Sequence, residues 1–190
     1  VCEVVDLAPV RTQVVEAGPS PTSTKFLFRD PPADLVQQHA WLLPHFAKEL
    51  AYGRRTYNAR SETVAEKPSF RDAWRLGQHC IVPAENVYEP DWRSGKAVAT
   101  AVSRADGQPM GVAGIWSGWR GPNGWVDSFT MLTVNADDHA VFKLLHKPQD
   151  EKRMVVILDP QDFEGWLTCP VSAAKSRYCK QWMGELHGEP

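Results

Sequence analysis

Short runs in which apolar and polar residues alternate recur along this chain, separated by turns rich in proline and glycine. The runs VCEVVDLA, KFLFR, HCIVPAENVYEP, SFTMLTVNA and RMVVIL are typical of strands. The pair Asp106-Gly107 stands between the runs KAVATAVSR and QPMGVAGIWSGWR and predicts a hairpin, and GPNGW predicts a further turn. The chain has 15 prolines and 13 glycines, which favours short elements.

Helical periodicity is confined to three stretches. Residues 61–77, SETVAEKPSFRDAWRLG, predict a helix interrupted at Pro68, and DDHAVFKLLH predicts a helix with Asp137 near its N-cap. The segment DPQDFEGWL predicts a short helix capped by Asp159, with Pro160 at its first position. Because the helices do not alternate with the strands, we expect an α+β fold: a bent, barrel-like, mostly antiparallel sheet with a few short peripheral helices.

The length and composition indicate one globular domain. The chain has 190 residues, of which 43% are apolar and 23% charged. We expect a single domain over residues 1–170 and a polar tail over 171–190. No apolar run approaches the roughly 20 residues that span a bilayer, and no basic and apolar leader precedes the first strand. The net charge of −2 restricts any nucleic-acid site to a local patch.

The cysteines indicate free thiols in a reducing compartment. Cys2, Cys80, Cys169 and Cys179 contain no Cys-x-x-Cys pair, which argues against a cysteine-based zinc site. Their spacing resembles no small secreted disulfide framework. We therefore expect a cytoplasmic protein.

Cys2 is the first candidate for chemistry. If Val1 is removed, Cys2 carries a free α-amine beside its thiol. Such a 1,2-aminothiol reacts with an aldehyde to close a five-membered thiazolidine. We expect the mature protein to start at Cys2. The position alone leaves open that Cys2 is a buried structural cysteine on a first strand.

The segment NARSET, residues 58–63, is a second candidate. The Asn58 amide both donates and accepts hydrogen bonds, so it can orient an amine or an oxyanion. The Arg60 guanidinium can hold a phosphate with two parallel hydrogen bonds. An alternative is that Ser61 caps a helix and Glu62 lies in its first turn.

Glu89 and His146 are candidates for proton transfer. Glu89 ends a predicted strand, where it is either a general acid or base or a solvated edge residue. His146 precedes the strand RMVVIL, and a histidine changes charge near neutral pH. Lys147, Lys152 and Arg153 follow it, either as a positive patch or as an ordinary solvated surface.

The order of these motifs resembles the SOS-response-associated peptidase (SRAP) family, whose members cap abasic sites in single-stranded DNA. Besides Cys2, the similarity covers about residues 19–168 and rests on PSPTST, WLLPHFAKE, NARSET, CIVPAENVYEP, GIWSGW, FTMLTVNA and LHKPQDEKRMVVIL, in the family's order. The chain departs from the family's Met-Cys-Gly-Arg start, having Glu3 and Val4 after Cys2, and it has Pro90 and Val155 where tryptophan and proline are usual.

The resemblance implies catalytic roles for four residues. Cys2 would crosslink to the aldehyde of the ring-opened sugar, its amine forming a Schiff base and its thiol closing the thiazolidine. Asn58 would hold the α-amine or the sugar. Glu89 would act as acid and base at the Schiff-base step, and His146 would help to open the deoxyribose ring.

The resemblance also implies a DNA-binding surface. Arg60 and Arg153 would hold flanking phosphates, and Trp41 and Phe46 would border the DNA channel and stack on bases. The expected partner is single-stranded DNA containing abasic sites, and the expected state is a monomer associated with a bacterial nucleoid, with no metal or organic cofactor and no membrane. The alternatives are a non-catalytic DNA-binding module, a thiol peptidase limited to self-processing, a thiol enzyme acting on small metabolites, and a degenerate family member.

Overall fold

The computed structural model describes residues 41–189 together with three short strands before them. These strands are β1 (Val15–Glu16), β2 (Lys25–Phe28) and β3 (Gln38–His39). The expected strand VCEVVDLA, the segment PSPTST and Cys2 lie outside the described residues. The expected strand KFLFR is confirmed by β2.

The main sheet is built on a long hairpin. Its two strands are β8 (Met110–Gly121) and β9 (Gly124–Asn135), and the predicted turn GPNGW joins them through the pair Gly121↔Gly124. Gly124 has φ +123°, a backbone conformation that favours glycine. On the other side of β8 lies β5 (His79–Ala84), followed by β2 and β1, all antiparallel.

The sheet curls where β8 and β9 separate. Strand β10 (Arg153–Val155) pairs antiparallel with β9, and β11 (Ile157–Leu158) pairs antiparallel with β8. Val156 lies between them and bonds both strands, since its N–H donates to Leu132 and its carbonyl accepts from Ala113. The predicted strand RMVVIL therefore crosses from one strand of the hairpin to the other and bends the sheet into a half-barrel.

Two parallel strands cover the outer edge of β9. Strand β3 pairs with Asp127 and Ser128, and β4 (Asn58–Arg60) pairs with Met131 to Thr133. The result is a mixed sheet that is mostly antiparallel. With few short helices beside it, this confirms the expected α+β class with a bent, barrel-like sheet.

A second sheet of three strands corrects one prediction. It has the order β12 (Leu186–Glu189), β7 (Val98–Arg104) and β6 (Val87–Asp91). The predicted hairpin across Asp106-Gly107 is wrong: the turn forms, with Gly107 at φ +71°, but β7 pairs with β6 and β12 while β8 joins the main sheet. Alternating runs specify two strands and a turn, but they do not specify which strands pair.

Two predicted helices are also corrected. In the segment 61–77, only α1 (Arg71–Arg75) is helical. The Ser61 N–H bonds Thr133 and prolongs the β4 ladder, and separate turns follow as far as Phe70. In the segment 137–146, a single 3-10 turn (Phe142–Leu144) replaces the expected helix. There the imidazole of His139 accepts from the N–H groups of Val141 and Phe142, so it caps the start of this turn.

The chain after Leu158 packs against the core. A 3-10 turn (Pro160–Asp162) begins with the predicted Pro160 and runs into α2 (Phe163–Thr168). Asp159 precedes it as expected, although its carboxylate accepts from the Trp182 indole at 2.8 Å and makes no cap bond. The sequence predicts a polar tail after residue 170; this region contains α3 (Val171–Tyr178), which buries Tyr178, and the edge strand β12.

The described thiols are free and unsuited to nucleophilic attack at neutral pH. Burial raises the pKa of Cys80 and of Cys169, and it raises the pKa of Cys179 to about 12. A thiol must lose its proton to act as a nucleophile. None of the helices in the described part of the chain has the length and apolar character that crossing a bilayer requires.

Candidate functional site

Glu89, on strand β6, and His146, in the segment that precedes β10, form a close pair. The His146 Nε2 atom lies 3.4 Å from Glu89 Oε2 and 3.1 Å from the carbonyl oxygen of Arg153. A carbonyl only accepts hydrogen bonds, so this contact requires a hydrogen on Nε2. Whenever the imidazole carries a single hydrogen, Nδ1 is then the atom that can accept a proton.

The environment of the pair favours a protonated glutamate. The side chains of Glu89 and His146 are 19% and 21% exposed. Burial raises the pKa of Glu89, and the charge of His146 opposes this shift. A carboxyl group that keeps its proton closer to neutral pH can serve as a general acid as well as a base.

The backbone at His146 is held in an uncommon conformation. His146 has φ +64°, the only positive φ of a residue other than glycine in the described part of the chain. The left-handed region costs such a residue roughly 1–2 kcal/mol. The His146 N–H donates to the Pro90 carbonyl at 2.7 Å, and Leu145 forms a β-bridge with Asp91, so strand β6 holds this turn in place.

Asn58 and Arg60 share one face of β4. Both side chains are exposed, while Ala59 between them is completely buried. Alternate residues of a strand point to the same side, and two residues span about 7 Å. The alternative that Ser61 begins a helix is wrong, since turns follow it as far as Phe70.

Arg153 is the centre of an ion-pair network. Its Nη1 and Nη2 atoms donate to the two oxygens of Glu62 at 3.0 and 2.9 Å, and Nη2 also donates to the Thr133 carbonyl at 2.8 Å. Glu151 accepts from Arg153 Nη1 at 2.8 Å and from Arg60 Nη1 at 2.6 Å. The two arginines are thus joined through one carboxylate, and their role toward DNA stays a prediction.

The two lysines that the sequence groups with Arg153 as a possible positive patch, Lys147 and Lys152, make contacts within the protein. Lys147 lies over the Trp92 ring at 5.1 Å, and the largely buried Lys152 donates to the Lys147 carbonyl. These contacts fix the loop between His146 and Arg153.

Trp41 and Phe46 lie in the segment that precedes β4. The half-buried Trp41 packs over Gly53, where an added Cβ would come within 2.4 Å of its Cδ1 atom. Phe46 is 42% exposed and contacts the His45 and Tyr52 rings edge to face. Thr56 closes the segment through its hydroxyl bond to Leu42. An exposed ring in this position suits stacking, and the contact with DNA stays a prediction.

The structure brings most of the expected residues together. Contacts run from Glu89 through His146 to Arg153, and from Arg153 through Glu151 to Arg60. Asn58 lies two residues before Arg60 on the same face of β4. Cys2 lies outside the described residues. Sequence reasoning missed Glu62 and Glu151 as partners of the arginines, because each lies 91 residues from one arginine that it binds. Among the residues described, no cluster of His, Cys, Asp or Glu fits a metal ion.

The chain is similar to several proteins named as abasic site processing proteins. The chain is 32% identical over 129 residues to the abasic site processing protein YobE of Bacillus subtilis (strain 168), covering 66% of this chain and 55% of YobE. It is 28% identical over 178 residues to the abasic site processing protein HMCES of Gallus gallus, covering 80% of this chain and 51% of HMCES. The chain therefore spans about half the length of the curated relatives that it matches.

Solved structures agree on the fold. A crystal structure of a protein from Bordetella bronchiseptica is 44% identical, with a TM-score of 0.75 over 80% of this chain and 74% of that chain. A protein from Bacteroides thetaiotaomicron is 21% identical, with a TM-score of 0.66 over 78% of this chain and 65% of that chain, and it shows the fold alone. The family model described as SOS response associated peptidase (SRAP) matches residues 7–188. The chain belongs to the SRAP family.

Proposed function

We propose that this protein captures abasic sites in single-stranded DNA by a covalent thiazolidine link to Cys2. The observation that carries the proposal is the contact between the half-buried side chains of Glu89 and His146, which are 3.4 Å apart. His146 also contacts Arg153, and Glu151 joins Arg153 to Arg60, which shares a face of β4 with Asn58. The names of the relatives as abasic site processing proteins support the same substrate.

The first step opens the sugar. An abasic deoxyribose is mostly a closed ring, and its aldehyde appears when the C1′ hydroxyl loses a proton and the ring oxygen gains one. His146 has an acceptor at Nδ1 and a donor at Nε2, so it can perform one of these transfers and return the proton afterwards. Arg60 and Arg153 would hold the flanking phosphates, and Trp41 and Phe46 would stack on neighbouring bases.

The second step joins protein and sugar through nitrogen. The Cys2 amine attacks the C1′ aldehyde and gives a carbinolamine, which loses one water to form a Schiff base. Glu89 would donate the proton that the departing hydroxyl needs, which suits a carboxyl group whose pKa is raised by burial. Asn58 would orient the amine or the sugar through its amide.

The third step closes the ring. The Cys2 thiol adds to the carbon of the Schiff base, forming the C–S bond, and its proton ends on the nitrogen. The overall change is one C–N bond and one C–S bond made, with one water released and no oxidant required. The chemistry needs a free α-amine, because a Cys2 that is still joined to Val1 has an amide nitrogen that cannot form the Schiff base.

The raised pKa values of the other thiols support the choice of Cys2. Cys80, Cys169 and Cys179 keep their protons at neutral pH, since burial disfavours their thiolates. None of them can combine thiol and amine, because their nitrogens are backbone amides.

A crosslinking assay tests the proposal. Protein that starts at Cys2 is incubated with a single-stranded oligonucleotide carrying one abasic site, and a heat-stable shifted band is expected. The same oligonucleotide with its aldehyde reduced to an alcohol should give no band, and neither should protein that retains Val1.

Two variants separate the roles of amine and thiol. Cys2→Ala should lose the heat-stable band. Cys2→Ser keeps the amine, so it should give a band only when borohydride is added to trap the Schiff base. An undiminished heat-stable band from Cys2→Ala would reject Cys2 as the nucleophile, and salt-sensitive binding without any band would favour a non-catalytic DNA-binding module.

A further inference from the structure

The carboxylate of Glu151 lies between the two arginines that are expected to hold phosphates. Its Oε2 atom is 2.6 Å from Arg60 Nη1, and its Oε1 atom is 2.8 Å from Arg153 Nη1. Both arginines therefore aim one nitrogen at the same anion. Carboxylate and phosphate offer guanidinium groups similar pairs of oxygen acceptors, so this position fits a phosphate as well.

Arg153 has no terminal hydrogen left for a second anion. Its Nη1 atom donates to Glu62 and Glu151, and its Nη2 atom donates to Glu62 and Thr133. Only the buried Nε atom has no hydrogen-bond partner among the described residues. A phosphate can reach the terminal nitrogens of Arg153 only if one of the two carboxylates leaves.

Glu151 is the carboxylate whose departure would open this position, because it alone of the two bonds both arginines. Glu62 accepts from both terminal nitrogens of Arg153, whereas Glu151 makes one bond to each arginine and a longer bond, at 3.4 Å, to the Asn135 amide. Glu151 also lies at the end of the loop that joins His146 to β10, and its side chain is 36% exposed, against 46% for Glu62. A rotation of this side chain toward solvent frees one nitrogen on each arginine, and the freed nitrogens face the same place.

We propose that Glu151 occupies the position of a DNA phosphate between Arg60 and Arg153 and lowers the affinity for single-stranded DNA. This inference rests on the proposed function, since it concerns the same DNA-binding surface. With Glu151 in place, two positive and two negative side chains meet, so the surface has little net charge to attract DNA. Strands that offer a phosphate at this position bind only by displacing Glu151, which makes it a residue that sets DNA affinity.

Binding of undamaged DNA tests the inference apart from the crosslinking chemistry. Affinity for a fluorescent oligothymidylate without abasic sites is measured by anisotropy for the wild type and for Glu151→Gln, which keeps the shape and removes the charge. Glu151→Gln should bind about fivefold more tightly at low salt. The matched control is Asp150→Asn, which removes an exposed acid one residue away and should change affinity by less than about twofold.

A double-mutant cycle shows whether the effect acts through the arginine. The increase in DNA affinity caused by Glu151→Gln should disappear when Arg60 is replaced by alanine. The phosphate position between the two arginines has then lost one of its two hydrogen-bond donors. Thermal unfolding of each variant confirms that the fold is kept. Equal gains from Glu151→Gln and Asp150→Asn, or a gain that persists in Arg60→Ala, would contradict the inference.

The two proposals fail in different ways. If the wild type crosslinks abasic DNA and Glu151→Gln binds undamaged DNA no more tightly, the inference about Glu151 is wrong and the proposed function stands. If Glu151→Gln binds more tightly and no protein crosslinks, the Cys2 chemistry is wrong and the phosphate position stands. If no variant binds or crosslinks, both are wrong.

Discussion

The N–H of His146 donates to the carbonyl of Pro90 at 2.7 Å, so the strand that carries Glu89 also holds the histidine. The two side chains meet at 3.4 Å as a consequence. The left-handed backbone of His146 is stabilised by this bond and by the neighbouring bridge between Asp91 and Leu145. Backbone bonds to strand β6 therefore help to set the geometry of the pair.

Replacing Glu89 by glutamine should slow crosslinking. The amide cannot donate the proton that the carbinolamine needs, so we expect the rate of crosslink formation to fall about a hundredfold. The wild-type rate of this step should decline as pH rises through the raised pKa of Glu89, because only the protonated form acts as the acid. Single-turnover kinetics across a range of pH measures both effects. A Glu89→Gln variant with the wild-type rate and pH profile would show that Glu89 takes no part.

Replacing Arg153 by lysine should lower stability. An ammonium group cannot bind Glu62 with two parallel bonds and also reach Thr133, so we expect the free energy of unfolding to fall by about 1–3 kcal/mol. Arg60→Lys is the matched control: that side chain is 57% exposed, and a change under about 0.5 kcal/mol is expected. Urea unfolding measures both. Equal losses would mean that the bonds of Arg153 to Glu62 and Thr133 contribute no more to stability than the exposed ion pair of Arg60 does.

Adding a methyl group at Gly53 should disturb Trp41. The new Cβ would lie 2.4 Å from Trp41 Cδ1, and a rigid indole cannot give way without moving the segment that carries Phe46. We expect Gly53→Ala to cost about 1–3 kcal/mol of stability and to weaken DNA binding. Gly188→Ala, whose added Cβ finds its nearest neighbour at 3.6 Å, should be close to neutral in thermal unfolding. A stable Gly53→Ala protein with normal DNA affinity would separate Trp41 from the DNA surface.

His79 should make stability depend on pH. Its ring stacks on Trp166 with centroids 4.1 Å apart, and burial lowers its pKa while a bond to the Trp166 carbonyl opposes this. The folded state therefore binds fewer protons than the unfolded state. The stability that His79 contributes is complete above the ordinary histidine pKa near 6.5 and is lost as pH falls below it.

A phenylalanine at position 79 tests this dependence. His79→Phe keeps a flat ring but cannot take up a proton, so the fall of Tm between about pH 7 and about pH 5 should become shallower. The exposed His187, replaced in the same way, should leave the slope unchanged. A slope unaffected by His79→Phe would assign the pH dependence to other groups.

Local pattern was sufficient for some elements and insufficient for others. The GPNGW hairpin was predictable because its two strands pair with each other directly across the turn. The strands around Asp106-Gly107 have the same alternation, but their partners come from segments before and after them in the chain. Pairing between distant strands depends on the burial of whole faces, which no short window contains.

The candidate site shows the same division. The residue types and their order along the chain indicated Asn58, Glu89 and His146, and the contact of Glu89 with His146 agrees with a shared site. The ionic partners of Arg60 and Arg153 were not predictable, because Glu62 and Glu151 carry no mark in the sequence that distinguishes them from other surface acids. The pairing of β4 and β10 with the same stretch of β9 brings those residues, 91 positions apart, into contact.

Mass spectrometry of the crosslinked peptide tests the central claim most directly. Protein that starts at Cys2 is reacted with abasic single-stranded DNA, treated with an alkylating reagent and digested. We predict that the N-terminal peptide carries the sugar with the loss of one water, and that the Cys2 sulfur is not alkylated because it belongs to the thiazolidine. An N-terminal peptide alkylated at Cys2, or a sugar attached to any other peptide, would contradict the account.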